Sequence, residues 1–310
     1  MPRHTLKFAL AAALAGVALP NVARAQSDDW WHHITVLAHD SMRGRETGSP
    51  EHHKAALYVA EQFRRAGLTA AGTNGFLQPV RFVMRAIDES QSSLVLLRSD
   101  RETPLVLGAD ASFVLRAPLA PRVDAPVVFA GYGLSLPEYG IDDLAGLDLK
   151  GKIVAYLGGL PKGVPGPVLS HSRSQAWQVF RARGAVGMMV FAGSRTADSV
   201  FRRSARNRLV PQMTLAEPAL DGQFGNQLSL SFNAARAEVL FAGAPQRFAA
   251  LSALSDSGLP LPHFALGVRL RAPASTREAP VVSENVAGML RGSDPRLRDE
   301  YVVVTAHLDH

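Results

Sequence analysis

The chain contains no cysteine. That excludes a disulfide framework, a thiolate metal site and a cysteine nucleophile. Charged residues are sparse at 19% and aromatics sparser at 7%, while 47% of the 310 residues are hydrophobic. This balance describes a folded globular chain, not a disordered one. Several signatures are also missing. There is no P-loop and no dinucleotide fingerprint after a strand. There is no H-E-x-x-H, since Glu51-His52-His53 does not fit it. The nearest approach to G-x-S-x-G is Gly133-Leu134-Ser135-Leu136-Pro137, which lacks the second glycine.

Residues 1–25 read as a secretory signal. Arg3 and Lys7 give a positive start, Phe8 to Leu19 an apolar core, and Ala23-Arg24-Ala25 a small-x-small cleavage site. The competing reading, a membrane anchor, needs roughly 20 apolar residues, more than this core offers. No later segment is long or apolar enough to span a bilayer. The protein is therefore expected to be periplasmic or secreted, with no stable membrane anchor after cleavage. The formal net charge is +6, and three of its positive charges, Arg3, Lys7 and Arg24, fall in the signal, leaving +3. That is too mild to argue for a nucleic-acid partner. One basic cluster, Arg202, Arg203, Arg206 and Arg208, reads either as a solvated loop or as a phosphate-binding patch, with only Phe201 as an interleaved aromatic.

Ser27 is placed to cap a helix carrying Trp30, Ile34, Leu37 and Ala38 on one face. A polar, glycine-punctuated loop, Asp40 to Gly48, follows. Ser49 and Pro50 then open a second helix, with Ala56, Val59, Ala60 and Phe63 as its buried stripe and Gly67 ending it. His52 and His53 in its first turn are expected to be exposed, since adjacent helix positions point two ways. Phe82 to Ala86 is expected as a strand. From about residue 90 short β-rich runs appear: Ser93–Leu97, Pro126–Ala130, Lys152–Leu157, Met188–Phe191, Leu228–Phe232 and Glu238–Phe241. Only two helices interrupt them, near Gln175–Arg183 and Gln246–Leu254. The acidic pair Asp142-Asp143 reads either as a turn cap or as a calcium site. Ala265–Leu270, Val286–Leu290 and Tyr301–Thr305 are further strand candidates. The pattern suggests an α/β domain split by an inserted β-rich module.

The chain's last ten residues, YVVVTAHLDH, carry the main chemical candidate. The β-branched run Tyr301–Thr305 predicts a buried strand. Side chains alternate along a strand, so His307 and Asp309 would share a face and His310 would point away from His307. A His supplies a nitrogen ligand, and a nearby Asp can ligate or orient the ring. H-x-D alone reads more readily as a hydrogen-bonded structural histidine than as a metal ligand.

Most of the chain after the signal resembles a known family: the zinc metallopeptidases of peptidase family twenty-eight, in the branch with an inserted protease-associated domain. The resemblance rests on Leu37-Ala38-His39-Asp40-Ser41-Met42-Arg43-Gly44-Arg45-Glu46-Thr47-Gly48-Ser49, on the helix Ala55–Phe63 and on Ala66-Gly67-Leu68. It rests also on Val128-Phe129-Ala130-Gly131-Tyr132-Gly133 and on the stretch from Asp142 to Val154. Ser283 to Gly288 and Val302 to Asp309 complete it. It implies a fold of class α/β: a zinc-peptidase-like α/β/α domain, incomplete, with an inserted β-rich protease-associated domain. The implied limits are 1–25 for the signal, 26–88 and 266–310 for the peptidase part and 89–265 for the insertion.

The resemblance further implies a two-zinc exopeptidase of aminopeptidase type acting on peptide or protein substrates. His307 would match a zinc ligand and Asp309 the carboxylate that orients it. A glutamate base and the other ligands lie downstream of H-x-D in that family. The 310 residues are thus expected to be the N-terminal part of a longer peptidase, inactive as they stand. The alternative expectation is a non-catalytic binding protein that works through its protease-associated domain.

Overall fold

The structure is a computed structural model and describes residues 22–193 and 197–310. The signal segment lies outside the described residues up to position 21. In chain order the first elements are α1 (Val22–Leu37), α2 (Pro50–Arg65), β1 (Thr69–Ala70), β2 (Leu77–Ile87), β3 (Leu94–Arg98), β4 (Arg101–Leu105), β5 (Ala111–Phe113) and β6 (Arg122–Ala130). Then come β7 (Ser135–Leu136), β8 (Ile141–Asp142), β9 (Ile153–Gly158), α3 (Gly166–Ala182), β10 (Gly187–Ala192), α4 (Ala197–Asn207) and β11 (Gln212–Leu215). The last are β12 (Leu228–Phe232), α5 (Glu238–Phe241), α6 (Phe248–Asp256), β13 (His263–Pro273), β14 (Thr276–Val286) and β15 (Gly288–Met289). The fold is mixed α/β. By contacts it forms two compact units: Met1–Gln78 with Glu284–His310, and Pro79–Ser283.

The second unit is built on an eight-stranded sheet in the order β4-β3-β13-β6-β9-β10-β12-β5. Strands β6, β9, β10 and β12 run parallel, and the flanking pairs are antiparallel. Parallel strands are covered on both faces, and β9 and β10 read accordingly as near-continuous apolar runs. Alternation sends β6 and β9 side chains two ways. Val128, Ala130 and Val154 pack with Trp177 and Phe180 of α3. Phe129, Ala155 and Leu157 face the other core, with Phe191, Phe241, Phe248 and Leu251. Phe191 and Phe248 ring centroids lie 4.9 Å apart, within the range of favourable aromatic pairs. A β-bulge interrupts the β13–β6 register between Ala265 and Arg269, where Gly267 supplies a φ of 67° that other residues rarely adopt.

Several expectations change here. Glu238–Phe241 is helix, not strand; three apolar residues after a glutamate do not fix their own period, and the preceding turn is capped by Asn233, whose side chain accepts from the Ala235 N–H. The basic cluster is helical: Arg202, Arg203 and Arg206 lie on α4, not in a loop. Its Arg208 neighbour donates to Glu89 at 2.7 Å. The backbone is already helical at Val22, so Ser27 lies inside α1; Ala23, Arg24 and Ala25 are good helix formers. Strand β13, expected at the return to the first domain, sits between β3 and β6 in the second unit.

Tyr301–Thr305 is not a strand. Tyr301 to Val304 are 74% to 96% exposed, and no described strand pairs with them. β-Branched composition gives strand propensity, but a ladder needs a hydrogen-bonding neighbour.

Candidate functional site

The first unit holds His307 and Asp309, the main chemical candidates of the sequence. Its helix α2 starts as expected: the Ser49 side chain accepts from the His52 N–H at 3.0 Å, with Pro50 in the first position. His52 is buried, which corrects the exposed reading; it faces inward with Ala55 and Ala56, three and four residues on. His53 is exposed, and its Nδ1 hydrogen-bonds Glu284. Across α1 and α2, the His33 Nδ1 meets the Tyr58 hydroxyl at 2.7 Å.

Between the two helices the chain makes a tight 3₁₀ turn, Asp40–Arg45, whose start is capped by His39: its Nδ1 accepts from the Ser41 N–H at 3.1 Å. Arg43, Gly44 and Arg45 then take φ values of 42°, 78° and 58°. Two of these are not glycine, and a left-handed residue of that kind costs about 1–3 kcal/mol. The surroundings hold Arg45 there. Its Nη1 donates to the carbonyl of Leu37, one of the carbonyls that the end of α1 leaves without an intrahelical partner. Its Nε donates to the carbonyl of Leu308 at 2.8 Å. Two residues on, the Thr47 hydroxyl donates to Asp309 Oδ2 at 3.0 Å. Beside this turn, Trp30, His33, Ile34, Leu37, Ala38 and Arg45 line a cavity of about 290 Å³.

His307 and Asp309 therefore lie together, but not on a strand face. The His307 Nδ1 is 2.8 Å from the backbone oxygen of Asp309. A carbonyl only accepts, so Nδ1 carries the proton and, in the neutral ring, Nε2 keeps its lone pair. The closest carboxylate oxygen of Asp309 to His307 Nδ1 is 3.7 Å away; the carboxylate is turned to Thr47 instead. The His307 side chain is 80% exposed. One ring nitrogen fixed on a carbonyl with the other open is the arrangement of a metal-binding imidazole. This fits one ligand position of a zinc site, whereas a catalytic zinc takes about three protein ligands. Among the described residues no group of three His, Asp or Glu side chains could hold one metal ion.

Other candidates resolve into structure. Asp143 serves the turn Gly131-Tyr132-Gly133: its Oδ2 accepts from the N–H of Tyr132 at 2.9 Å and of Leu134 at 3.2 Å. Burial pushes its carboxyl up to about 6, against the pull of those two N–H groups. The turn-cap reading of Asp142-Asp143 accounts for these contacts. Tyr132 packs in the core and donates to the Leu259 carbonyl at 2.7 Å. In the second unit, Arg202, Arg206 and Arg236 share a cavity of about 680 Å³ with Val106, Asp110, Phe201 and Asn233.

Arg45 and Thr47 are the functional candidates that no motif in the sequence marks. The stretch containing them stands out only as part of a resemblance. Their partners are 263 and 262 residues away, a distance no local pattern encodes.

No family model matches the chain, and no curated protein does. Among solved structures it is similar to the aminopeptidase from Aneurinibacillus sp. strain AM-1, at 17% identity and a TM-score of 0.40. The match covers 88% of this chain and 50% of that one, so the chain spans about half the length of that aminopeptidase.

Proposed function

We propose that this chain is part of a zinc-dependent exopeptidase of aminopeptidase type, acting on peptide or protein substrates outside the cytoplasm. The observation that carries the reading is the state of His307: Nδ1 engaged by a backbone carbonyl, Nε2 open, and Asp309 held beside it by Thr47. Two further supports come from sequence. One is the agreement of the Leu37–Ser49, Asp142–Val154 and Val302–Asp309 stretches with the pattern of that peptidase family. The other is the signal-like pattern of residues 1–25, which underlies the periplasmic or secreted location. Among the described residues no helix is long and apolar enough to cross a membrane.

In this reading His307 is a zinc ligand through Nε2, and Asp309 is a neighbour that fixes the segment. Zinc in such a site polarises a carbonyl and lowers the pKa of a bound water. The described residues supply one ligand position, so no hydrolytic step is assigned to them. The inserted β-rich part is read as a protease-associated domain. A second reading, a binding protein that works through this inserted part, draws on the arginine-lined cavity of about 680 Å³ in the second unit.

The test is hydrolysis of a panel of aminoacyl-nitroanilides by the full-length gene product, before and after zinc chelation. The proposal expects cleavage that chelation abolishes and added zinc restores. Absence of cleavage, or cleavage indifferent to chelation, sinks it and leaves the binding reading.

A further inference from the structure

We infer that the turn Arg43–Thr47 is a clamp that sets the position of the His307–Asp309 segment, with Arg45 and Thr47 as its positioning residues. The role rests on the zinc-site reading above; the clamp itself rests on geometry alone.

Three observations converge on it. First, Arg45 spans two carbonyls with one guanidinium, at Leu37 and at Leu308. A planar fork with several donors can tie two backbone points in a fixed relation, which a lysine ammonium does poorly. The end of α1 is thereby linked to the backbone between His307 and Asp309. Second, Thr47 takes one carboxylate oxygen of Asp309 at 3.0 Å. This leaves the backbone oxygen of Asp309 to engage His307 Nδ1 and fix the ring's tautomer. Third, the turn holds two non-glycine residues in left-handed backbone, on either side of Gly44. A plain connector would relax there or carry glycine. A turn that keeps this strain while placing Arg45 and Thr47 on one distant segment has the character of a functional site. A Cβ on Gly44 would make only ordinary van der Waals contact, 3.5 Å from the backbone oxygen of His310.

Leu308 and Asp309 are half-buried, whereas His307 is exposed. Tyr301 to Val304, which lead into the segment, are 74% to 96% exposed. Arg45 and Thr47 contribute side-chain donors to Leu308 and Asp309. Neither Arg45 nor Thr47 touches a reacting atom in this account; both act through the segment they hold.

The experiment is backbone ¹⁵N relaxation on the full-length gene product, comparing wild type with Thr47→Val, Thr47→Ser and Arg45→Lys, with urea midpoints for each. Wild type should show order parameters of about 0.85 at Leu308 and Asp309, and Thr47→Val and Arg45→Lys should bring them below about 0.6. Thr47→Ser, which keeps the hydroxyl, should restore the wild-type value. Urea midpoints should stay in place, showing that the loss is local. Low order parameters in wild type, or unchanged ones in both disabling variants, overturn the clamp. A zinc titration of the full-length gene product separates the two ideas. With the clamp and the zinc site both correct, Thr47→Val weakens zinc about 10- to 100-fold. If the relaxation result holds but wild type takes up no zinc, the clamp stands and the zinc-site reading falls.

Discussion

Replacing Asp143 by asparagine should remove a pH dependence built into the second unit. Asp143 is 8% exposed and caps the turn that follows β6. Burial raises its carboxyl from an ordinary 3.8 to about 6. The sign follows from proton binding. The folded state holds this proton more tightly than the unfolded chain, so the group favours folding most at low pH. That advantage is lost as pH rises from about 4 through about 6, and the curve is flat above. A tenfold difference in proton affinity is worth about 1.4 kcal/mol, so wild type should lose about 2 kcal/mol relative to Asp143→Asn between about pH 4.5 and about pH 7.5. The amide keeps an oxygen for the two N–H donors and cannot ionise. Asp143→Ala differs: it leaves the buried N–H groups of Tyr132 and Leu134 without their acceptor, at about 1–3 kcal/mol each, and should be the least stable of the three at acid pH. Urea unfolding of wild type and Asp143→Asn at several pH values reads the difference directly, and taking it between the two proteins cancels other titrating groups. A difference that is flat with pH, or that favours wild type as pH rises, refutes the reasoning. It would mean that the two N–H bonds outweigh burial.

Two further predictions concern the same unit. Gly187→Ala would place a Cβ 2.7 Å from the Leu228 carbonyl oxygen on the neighbouring strand, so β10 and β12 must part; a loss of about 1–3 kcal/mol in urea is expected, and a neutral result would show the strands yield freely. Trp177→Ala empties the space between α3 and the sheet and drops the indole N–H bond to the Phe224 carbonyl at 3.0 Å; about 3–5 kcal/mol should be lost, and a loss below about 1 kcal/mol would contradict the packing described.

β9 is legible in the sequence because burial on both faces writes itself as a continuous apolar run, at Lys152–Leu157; β12 lies where Leu228–Phe232 suggests, though its Leu-Ser-Leu-Ser-Phe alternates and is buried throughout. The start of α2 is legible from Ser49-Pro50, a purely local signal. Helix α4 is not, because Arg202, Arg203 and Arg206 hide the few apolar residues that fix its face, Phe201 among them. Strands β11 and β14 also escape a local reading, since β2 pairs them across long sequence separations. Tyr301–Val304 shows the opposite failure: a strong strand signal with no neighbour to satisfy it. At the site, H-x-D is readable as a pair, and the structure keeps His307 and Asp309 adjacent. What the sequence does not show is that the proton on Nδ1 goes to a carbonyl and that the carboxylate goes to Thr47. Both depend on a backbone path that only the folded turn defines.

The most direct measurement is calorimetric titration of zinc into the full-length gene product and into its His307→Ala variant. The account predicts zinc binding by wild type and a loss of at least about 100-fold in affinity when the imidazole is removed. Equal affinity in the two proteins, or no zinc binding in either, would contradict it.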